Sequence, residues 1–102
     1  MYTSSVRFEW DEAKRKANVA KHGIDFMVVP EMFGSLMLVG TDSRKEYGET
    51  RKIGFGFIRG RLMAVAFSER APNLIRIFSA RKANRREETY YQKTIADELG
   101  KN

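Results

Sequence analysis

The sequence contains no cysteine, a single histidine and only two prolines among its 102 residues. Without cysteine, the chain has no disulfide framework, no thiolate nucleophile and no zinc site of the usual cysteine type. A single histidine also argues against a structural metal site, so we expect no metal or other cofactor. No apolar run approaches the ~18 residues of a membrane-spanning helix, and nothing near the N-terminus resembles a signal peptide. We therefore expect a cytoplasmic protein with no membrane partner.

The chain is short and basic. Hydrophobic residues make up 42% of the sequence and aromatic residues 12%, which is enough for one modest core, so we expect one domain over residues 1–102. Nineteen lysines and arginines against thirteen aspartates and glutamates give a formal net charge of +6. Such an excess favours a polyanionic partner such as nucleic acid, although many small basic proteins bind none.

The first third of the chain predicts one strand and two helices. Residues 6–10 alternate apolar and charged side chains, as in a half-buried edge strand. Asp11 and Gly23 suit the two ends of a following helix, whose inward side the spacing of its alanines indicates. A second helix over residues 25–33 should be short or kinked, because Pro30 removes a backbone donor. The alanines are Ala13, Ala17 and Ala20.

The rest of the chain predicts an antiparallel meander followed by a helix. Gly54 and Gly56 share one strand face, which indicates either sheet curvature or close approach by another element. Asn84 and Glu87 form a plausible capping pair for the C-terminal helix. We therefore predict an α+β fold with an antiparallel sheet of about five strands, with helices on one face and the other face open. The four meander strands are expected near residues 36–39, 53–57, 62–68 and 74–80, with a polar turn segment at 41–50.

The last predicted strand carries a guanidinium, and a basic cluster follows it. Charges are rarely buried without a partner, so Arg76 must meet a carboxylate or face an open surface where a phosphate can bind. Along an unbroken strand Arg76 and Arg81 point to opposite faces. Both reach one phosphate only if the strand bends near Ser79.

Two groups of motifs lie near the ends of the chain. The first is Phe-Glu-Trp-Asp-Glu-Ala-Lys at 8–14, with Asn18, Lys-His-Gly-Ile at 21–24 and Phe26. The second is Ile-Arg-Ile at 75–77 and Ser-Ala-Arg-Lys-Ala at 79–83. Together they resemble the BrnT family of toxins from type II toxin–antitoxin systems, over residues 6 to about 91.

The resemblance implies a RelE-like fold and a ribonuclease activity that blocks translation, with mRNA, free or on the ribosome, as the substrate. It also implies a cognate antitoxin of the ribbon-helix-helix type, through which the complex binds operator DNA. After Phe26 the chain departs from the family, since residues 27–30 are apolar where relatives carry acidic residues and alanines. We interpret this segment as a contact with the antitoxin or with a second copy in a homodimer, or as part of the core.

Metal-free RNA cleavage needs a group that deprotonates the 2′-hydroxyl, a group that protonates the departing 5′-oxygen, and positive charge near the phosphorane. We assign catalysis to His22, Arg76 and Arg81, because imidazole titrates near pH ~6.5 and guanidinium grips two phosphate oxygens. The alternatives are a helix-end role for His22 and surface ion pairs for the arginines. The residues that we expect to bind RNA are Lys21, Arg51, Arg61, Lys82 and Arg85.

Several other side chains have two interpretations each. Glu49 and Glu69 are either general bases near His22 or ion-pair partners of arginines. Tyrosines either stack on bases or, for Tyr91 in its helical stripe, pack in the core. The other candidate tyrosines are Tyr47 and Tyr90.

A non-catalytic role is the alternative to the nuclease. In that case the chain is a basic nucleic-acid-binding module, or a co-repressor that acts only with the antitoxin, and its arginines grip backbone without cutting. The basic face then chiefly receives nucleic acid or an acidic antitoxin tail. Incubation with RNA separates cleavage from binding, although some relatives of this fold cut only ribosome-bound mRNA.

Overall fold

The computed structural model describes residues 5–42 and 48–100. Over these residues it contains a five-stranded sheet, two α-helices and a 3₁₀ helix, which confirms the predicted α+β class. Tyr47 and part of the predicted turn segment lie outside the described residues. The elements are β1 (Arg7–Glu9), α1 (Glu12–His22), the 3₁₀ helix (Phe26–Gly34), β2 (Leu38–Thr41), β3 (Lys52–Ile58), β4 (Arg61–Ala71), β5 (Leu74–Lys82) and α2 (Arg85–Leu99).

The sheet is mixed, with strand order β1-β5-β4-β3-β2. Strands β2 to β5 form the predicted antiparallel meander. The prediction of an antiparallel sheet is wrong at the other edge, where β1 runs parallel to β5 and Phe8 lies opposite Ile75. Parallel neighbours need a long crossover, and here the whole intervening chain provides it, since α1 and the 3₁₀ helix carry the chain from the β1 edge towards β2.

The main core lies between the sheet and the 3₁₀ helix. Asp25 caps this helix, and Val28 N–H donates to the Asp25 carbonyl three residues earlier. Pro30 has no N–H to donate to the Phe26 carbonyl, so the tighter helix replaces the predicted α-helix. The fully buried side chains of this core are Phe26, Val29, Met32, Val65, Phe67, Ile75 and Ile77.

Two strand glycines allow the 3₁₀ helix to approach the sheet. A Cβ added at Gly56 would lie 2.6 Å from Met32 Cγ, and one at Gly54 would lie 2.9 Å from Met37 Cε. Both distances are too short for carbon atoms, so close approach, one of the two interpretations of these glycines, is confirmed.

Helix α1 runs beside the part of β5 that extends past β1. Asp11 and Gly23 cap it as predicted, with Gly23 at φ 73°. Its inward residue is Asn18, which is 6% exposed, whereas the alanines that we expected to face inward are all exposed. The Asn18 side-chain amide donates to the Ala80 carbonyl at 2.8 Å, and its oxygen accepts from Ala80 N–H at 3.1 Å. Asn18 thus takes the place of a neighbouring strand at this edge.

The second sheet face is covered at one end by α2, so the prediction of helices on one face only is wrong. Asn84 and Glu87 form the predicted capping box. Tyr91, on the inward side of this helix, is buried and donates to the Leu36 carbonyl at 3.0 Å, which confirms its core interpretation. On this face α2 packs against Leu38, Phe55 and Leu62, which belong to β2, β3 and β4, and it leaves the other end of the face uncovered. None of the helices in residues 5–42 and 48–100 is long and apolar enough to cross a membrane.

Candidate functional site

A pocket of about 300 Å³ lies where α1 passes the uncovered end of the second sheet face. Three of its lining side chains are cationic and one is a carboxylate, which favours an anionic ligand. The lining residues are Lys14, Ala17, Asn18, Lys21 and His22 from α1, Asp42 and Arg51 from the ends of the β2–β3 connection, Ala66 from β4, and Phe78 and Ser79 from β5.

An extra residue in β5 shapes the floor of this pocket. Ile77 lies opposite Phe67 and Ser79 lies opposite Ala66, so Phe78 has no counterpart on β4. This is a β-bulge, and both of its residues, Phe78 and Ser79, line the pocket. Strand β5 is therefore irregular at Ser79, the place where it must bend if Arg76 and Arg81 are to reach one phosphate.

The bulge also decides where two predicted catalytic arginines point. Arg76 lies opposite Ser68 and Arg81 lies opposite Ala64. Since Ser68, Ala66 and Ala64 alternate along β4 on one face, both arginines lie on the pocket face, on either side of the Ala66 floor position.

Each of these arginines also has a carboxylate partner. Arg76 Nη1 lies 3.1 Å from Glu9 Oε2, and the two Arg81 Nη atoms each lie 2.8 Å from one Glu87 oxygen. The side chains of Arg76 and Arg81 remain 28% and 32% exposed. Both arginines thus have the ion pairs that were the alternative interpretation. Neither belongs to the pocket lining, although both side chains stay partly exposed on the pocket face.

Glu87 joins the end of β5 to the start of α2. It completes the capping box by accepting from Asn84 N–H at 2.9 Å and also binds Arg81. The hydrogen bond from Arg81 is the main cause that holds the pKa of Glu87 below its usual range. Glu87 is therefore the helix cap that the sequence predicts, and it also anchors Arg81.

Arg51 and Lys14 both lie against the ring of Phe78. The Arg51 guanidinium carbon is 3.7 Å from the ring centroid, which is stacking distance, and Lys14 Nζ is 5.4 Å away. Arg51 is fixed at its backbone too, because its carbonyl accepts from Asp42 N–H at 2.8 Å. Sequence reasoning singled out Arg51 as an RNA-binding residue but missed Lys14, Asp42 and Phe78 as site residues.

His22 and Lys21 reach the pocket from the last turn of α1. His22 is half-buried there and Lys21 is exposed. Gly23 ends the helix directly after them by donating to the Val19 carbonyl at 2.8 Å. Lys14, Asn18 and Lys21 recur at helical spacing on this side of α1, a pattern that would have identified the pocket side of the helix from sequence.

The other predicted RNA-binding residues lie outside the pocket lining. Arg61 alternates with Met63 on β4, and Lys82 lies opposite Met63, so both belong to the face away from the pocket. Arg85 is exposed at the start of α2.

The two candidate bases, Glu49 and Glu69, both have ion-pair partners. Glu49 lies 3.1 Å from Arg70, and Glu69 lies 3.8 Å from Lys52.

Within residues 27–30, Val29 is fully buried whereas Met27 is 67% exposed. The core interpretation is therefore right for Val29, and Met27 is left on the surface.

Comparisons with known proteins give the same family as the motifs. A family model described as "Ribonuclease toxin, BrnT, of type II toxin-antitoxin system" matches residues 10–87. The crystal structure of the Brucella abortus ribonuclease toxin BrnT is similar, with a TM-score of 0.61 and 29% sequence identity over 78% of this chain and 99% of that chain. A comparison with curated proteins finds no match. All ten residues that line the pocket fall inside the matched range.

Proposed function

The chain belongs to the BrnT family of ribonuclease toxins of type II toxin–antitoxin systems, and we propose that it cleaves RNA in the pocket beside His22 without a metal ion and so inhibits translation. The observation that carries this proposal is the convergence of His22, Lys21 and Arg51 on one pocket. Its volume of about 300 Å³ is at the lower end of the range for small-ligand sites, which suits one nucleotide of a longer chain.

The proposed chemistry divides between proton transfer and charge. His22 exchanges a proton with the 2′-hydroxyl or the 5′-oxygen, because imidazole changes charge near neutral pH. Arg51 and Lys21 bind the scissile phosphate and stabilise the extra negative charge of the phosphorane. Lys14 adds positive charge to the same pocket.

Arg76 and Arg81 contribute from the border of the pocket. We assign them the phosphates that flank the scissile linkage, since both lie on the pocket face and both stay partly exposed. Each binds RNA by sharing its guanidinium between the existing carboxylate and a phosphate oxygen, which five N–H donors allow. Arg61, Lys82 and Arg85 can contribute only to RNA that extends beyond the pocket.

The family also supports a proposal about partners. A type II toxin has a protein antitoxin, which we propose to be of the ribbon-helix-helix type and to carry the complex to operator DNA. We propose a RelE-like arrangement for the fold, mRNA as the substrate, and Met27, exposed on the 3₁₀ helix, as a contact with the antitoxin or with a second toxin copy.

Inducible expression of variants tests the nuclease proposal. Expression alone should arrest growth and degrade RNA, and co-expression of the antitoxin should prevent both. His22→Ala and Arg51→Ala should abolish the arrest, whereas Lys16→Ala and Arg59→Ala, exposed cations outside the pocket lining, should remain toxic. If the two pocket variants are as toxic as the controls while all four fold alike, the site is elsewhere.

The RNA products test the mechanism. Cell-free-synthesised toxin, incubated with mRNA in chelator, with and without ribosomes, should leave 2′,3′-cyclic or 3′-phosphate ends and 5′-hydroxyl ends. A strict requirement for added magnesium contradicts the metal-free mechanism. Tight binding that leaves the mRNA intact, with and without ribosomes, supports the non-catalytic module instead.

A further inference from the structure

We propose that Phe78 is a positioning residue for Arg51: its ring holds the guanidinium flat at the pocket, ready to bind an RNA phosphate. The inference rests on the proposed function, because it assigns to Phe78 a part in binding the RNA that the pocket is proposed to cleave. The carrying observation is the 3.7 Å separation between the Arg51 guanidinium carbon and the Phe78 ring centroid.

Phe78 is not explained as a core residue. It is half-buried, and it belongs to neither of the hydrophobic clusters formed by the described residues. It is also the residue that interrupts the β4–β5 ladder, at a cost in regular pairing. If it were removed, Ile77 and Ser79 would be consecutive opposite Phe67 and Ala66, and this part of the ladder would be regular. The bulge therefore adds one thing to the sheet, an aromatic ring in the pocket.

Stacking suits a guanidinium that must bind an anion. The contact with the ring uses the face of the group, while its N–H donors all lie in the plane and point to its edge. An arginine held in this way needs to lose less rotamer freedom when a phosphate binds. The ring thus orients Arg51 without competing for its hydrogen bonds.

A second cation at the same ring supports an anionic ligand. Lys14 Nζ is 5.4 Å from the Phe78 centroid, so two positive side chains share one aromatic neighbour. Lys21 adds a third cation to the lining, against the single carboxylate of Asp42. A bound phosphate would offset the repulsion among these three positive charges.

A double-mutant cycle on the full-length chain tests the inference. Phe78→Leu keeps an apolar side chain but removes the aromatic face, and it should lower kcat/KM for RNA cleavage by about tenfold. Phe78→Tyr keeps the face and should stay within about threefold of the wild type. In the Arg51→Ala background, Phe78→Leu should change neither the residual cleavage rate nor the affinity for single-stranded RNA, because the ring then has no guanidinium to hold. Losses that multiply, or a fully active Phe78→Leu protein, overturn the inference.

Two further variants separate positioning from folding. Deletion of Phe78 should leave the thermal unfolding midpoint close to that of Phe78→Leu and give the same loss of activity, since a regular ladder replaces the bulge. Phe57→Leu, at a partly exposed phenylalanine that contacts Tyr91 outside the pocket, should leave cleavage unchanged. A deletion variant that unfolds contradicts the argument that the bulge serves only the pocket.

The failure of this inference and the failure of the nuclease proposal give different results. If the wild-type chain binds RNA without cutting it, the nuclease proposal fails. The same double-mutant cycle is then measured as the affinity of each variant for a fluorescent single-stranded RNA. Phe78→Leu and Arg51→Ala should then weaken binding non-additively. Additive effects on that affinity overturn the role of Phe78 by themselves.

Discussion

Arg76 and Arg81 point to the same face of β5 although an odd number of positions separates them. In a regular strand they would face opposite sides, but the unpaired residue Phe78 between them restores the match. Both arginines are thereby placed beside the pocket, and each keeps a carboxylate partner, Glu9 for one and Glu87 for the other. The ion pairs fix the arginines without burying them.

Arg76 should affect RNA cleavage through its own charge rather than through its ion pair. Arg76→Ala and Glu9→Gln both remove the ion pair at the 3.1 Å contact, and each should lower the free energy of unfolding by no more than about 1 kcal/mol, because both side chains are partly exposed. Only Arg76→Ala should also reduce cleavage, by about tenfold. Urea unfolding and RNA cleavage on the same preparations give the comparison; equal activity of the two variants would mean that Arg76 is structural.

Asn18 should be necessary for docking α1 on the sheet. Its amide donates to the carbonyls of Ile24 and Ala80 at 2.8 Å each and its oxygen accepts from Ala80 N–H, so Asn18→Ala leaves buried backbone groups without partners. The expected loss is about 3 kcal/mol in the free energy of unfolding. Asn18→Asp should be no better, since a carboxylate oxygen would replace the donor. Lys16→Ala on the same helix is the control, and a loss below about 1 kcal/mol in both Asn18 variants contradicts this role.

The stabilising contribution of Glu87 should be present at neutral pH and be lost in acid. The folded-state pKa of Glu87 is below its unfolded value, so its stabilising contribution is present above the unfolded pKa of about 4.3 and is lost as the pH falls through the folded pKa. Glu87→Gln should lower stability by about 1 kcal/mol at pH 7. The gap to the wild type should narrow below about pH 4.3.

Thermal unfolding at a series of pH values measures the difference in stability between the wild type and Glu87→Gln. Glu88→Gln, the next residue of α2, is the matched control and should show a smaller change with pH. A gap between wild type and Glu87→Gln that stays constant down to pH 3 would mean that the Arg81 interaction adds nothing to stability.

Gly56 should tolerate no side chain. A Cβ at this position meets Met32 Cγ at 2.6 Å, in the fully buried core, so Gly56→Ala should cost about 2 kcal/mol through overpacking. Gly40→Ala, with no described atom within 4 Å of its added Cβ, should change stability by less than about 0.5 kcal/mol. Adding Met32→Ala should reduce the cost of Gly56→Ala. Equal stabilities for Gly56→Ala and Gly40→Ala would contradict the close packing.

Local signals predicted most elements of the fold. Caps such as Asp11, Gly23 and the Asn84–Glu87 box act within a few residues, so their sequence pattern identified the helix ends correctly. The direction of β1 was not predictable in this way. A strand of three residues pairs with β5 or with another edge according to packing far along the chain, and no local pattern encodes that choice.

The lining of the candidate pocket was predicted in part. The motif around His22 and Lys21, and the charge of Arg51, pointed to residues that do line the pocket. Phe78 was missed because a phenylalanine in an apolar strand has the pattern of a core residue, and a bulge has no clear signal in a single sequence. The inward face of α1 was misjudged for a similar reason, since alanines outweigh an asparagine in any hydrophobic pattern.

The sequence by itself determined the composition-level properties of this protein: a basic, cysteine-free chain with an α+β fold and the motifs of its family. It did so because charge, capping and strand alternation are properties of neighbouring residues. The tertiary structure decided which cations share a pocket, since that depends on the ladder register between β4 and β5 and on the Asn18 contact with Ala80, residues 62 positions apart. One unpaired residue in that register changes the face of every side chain after it.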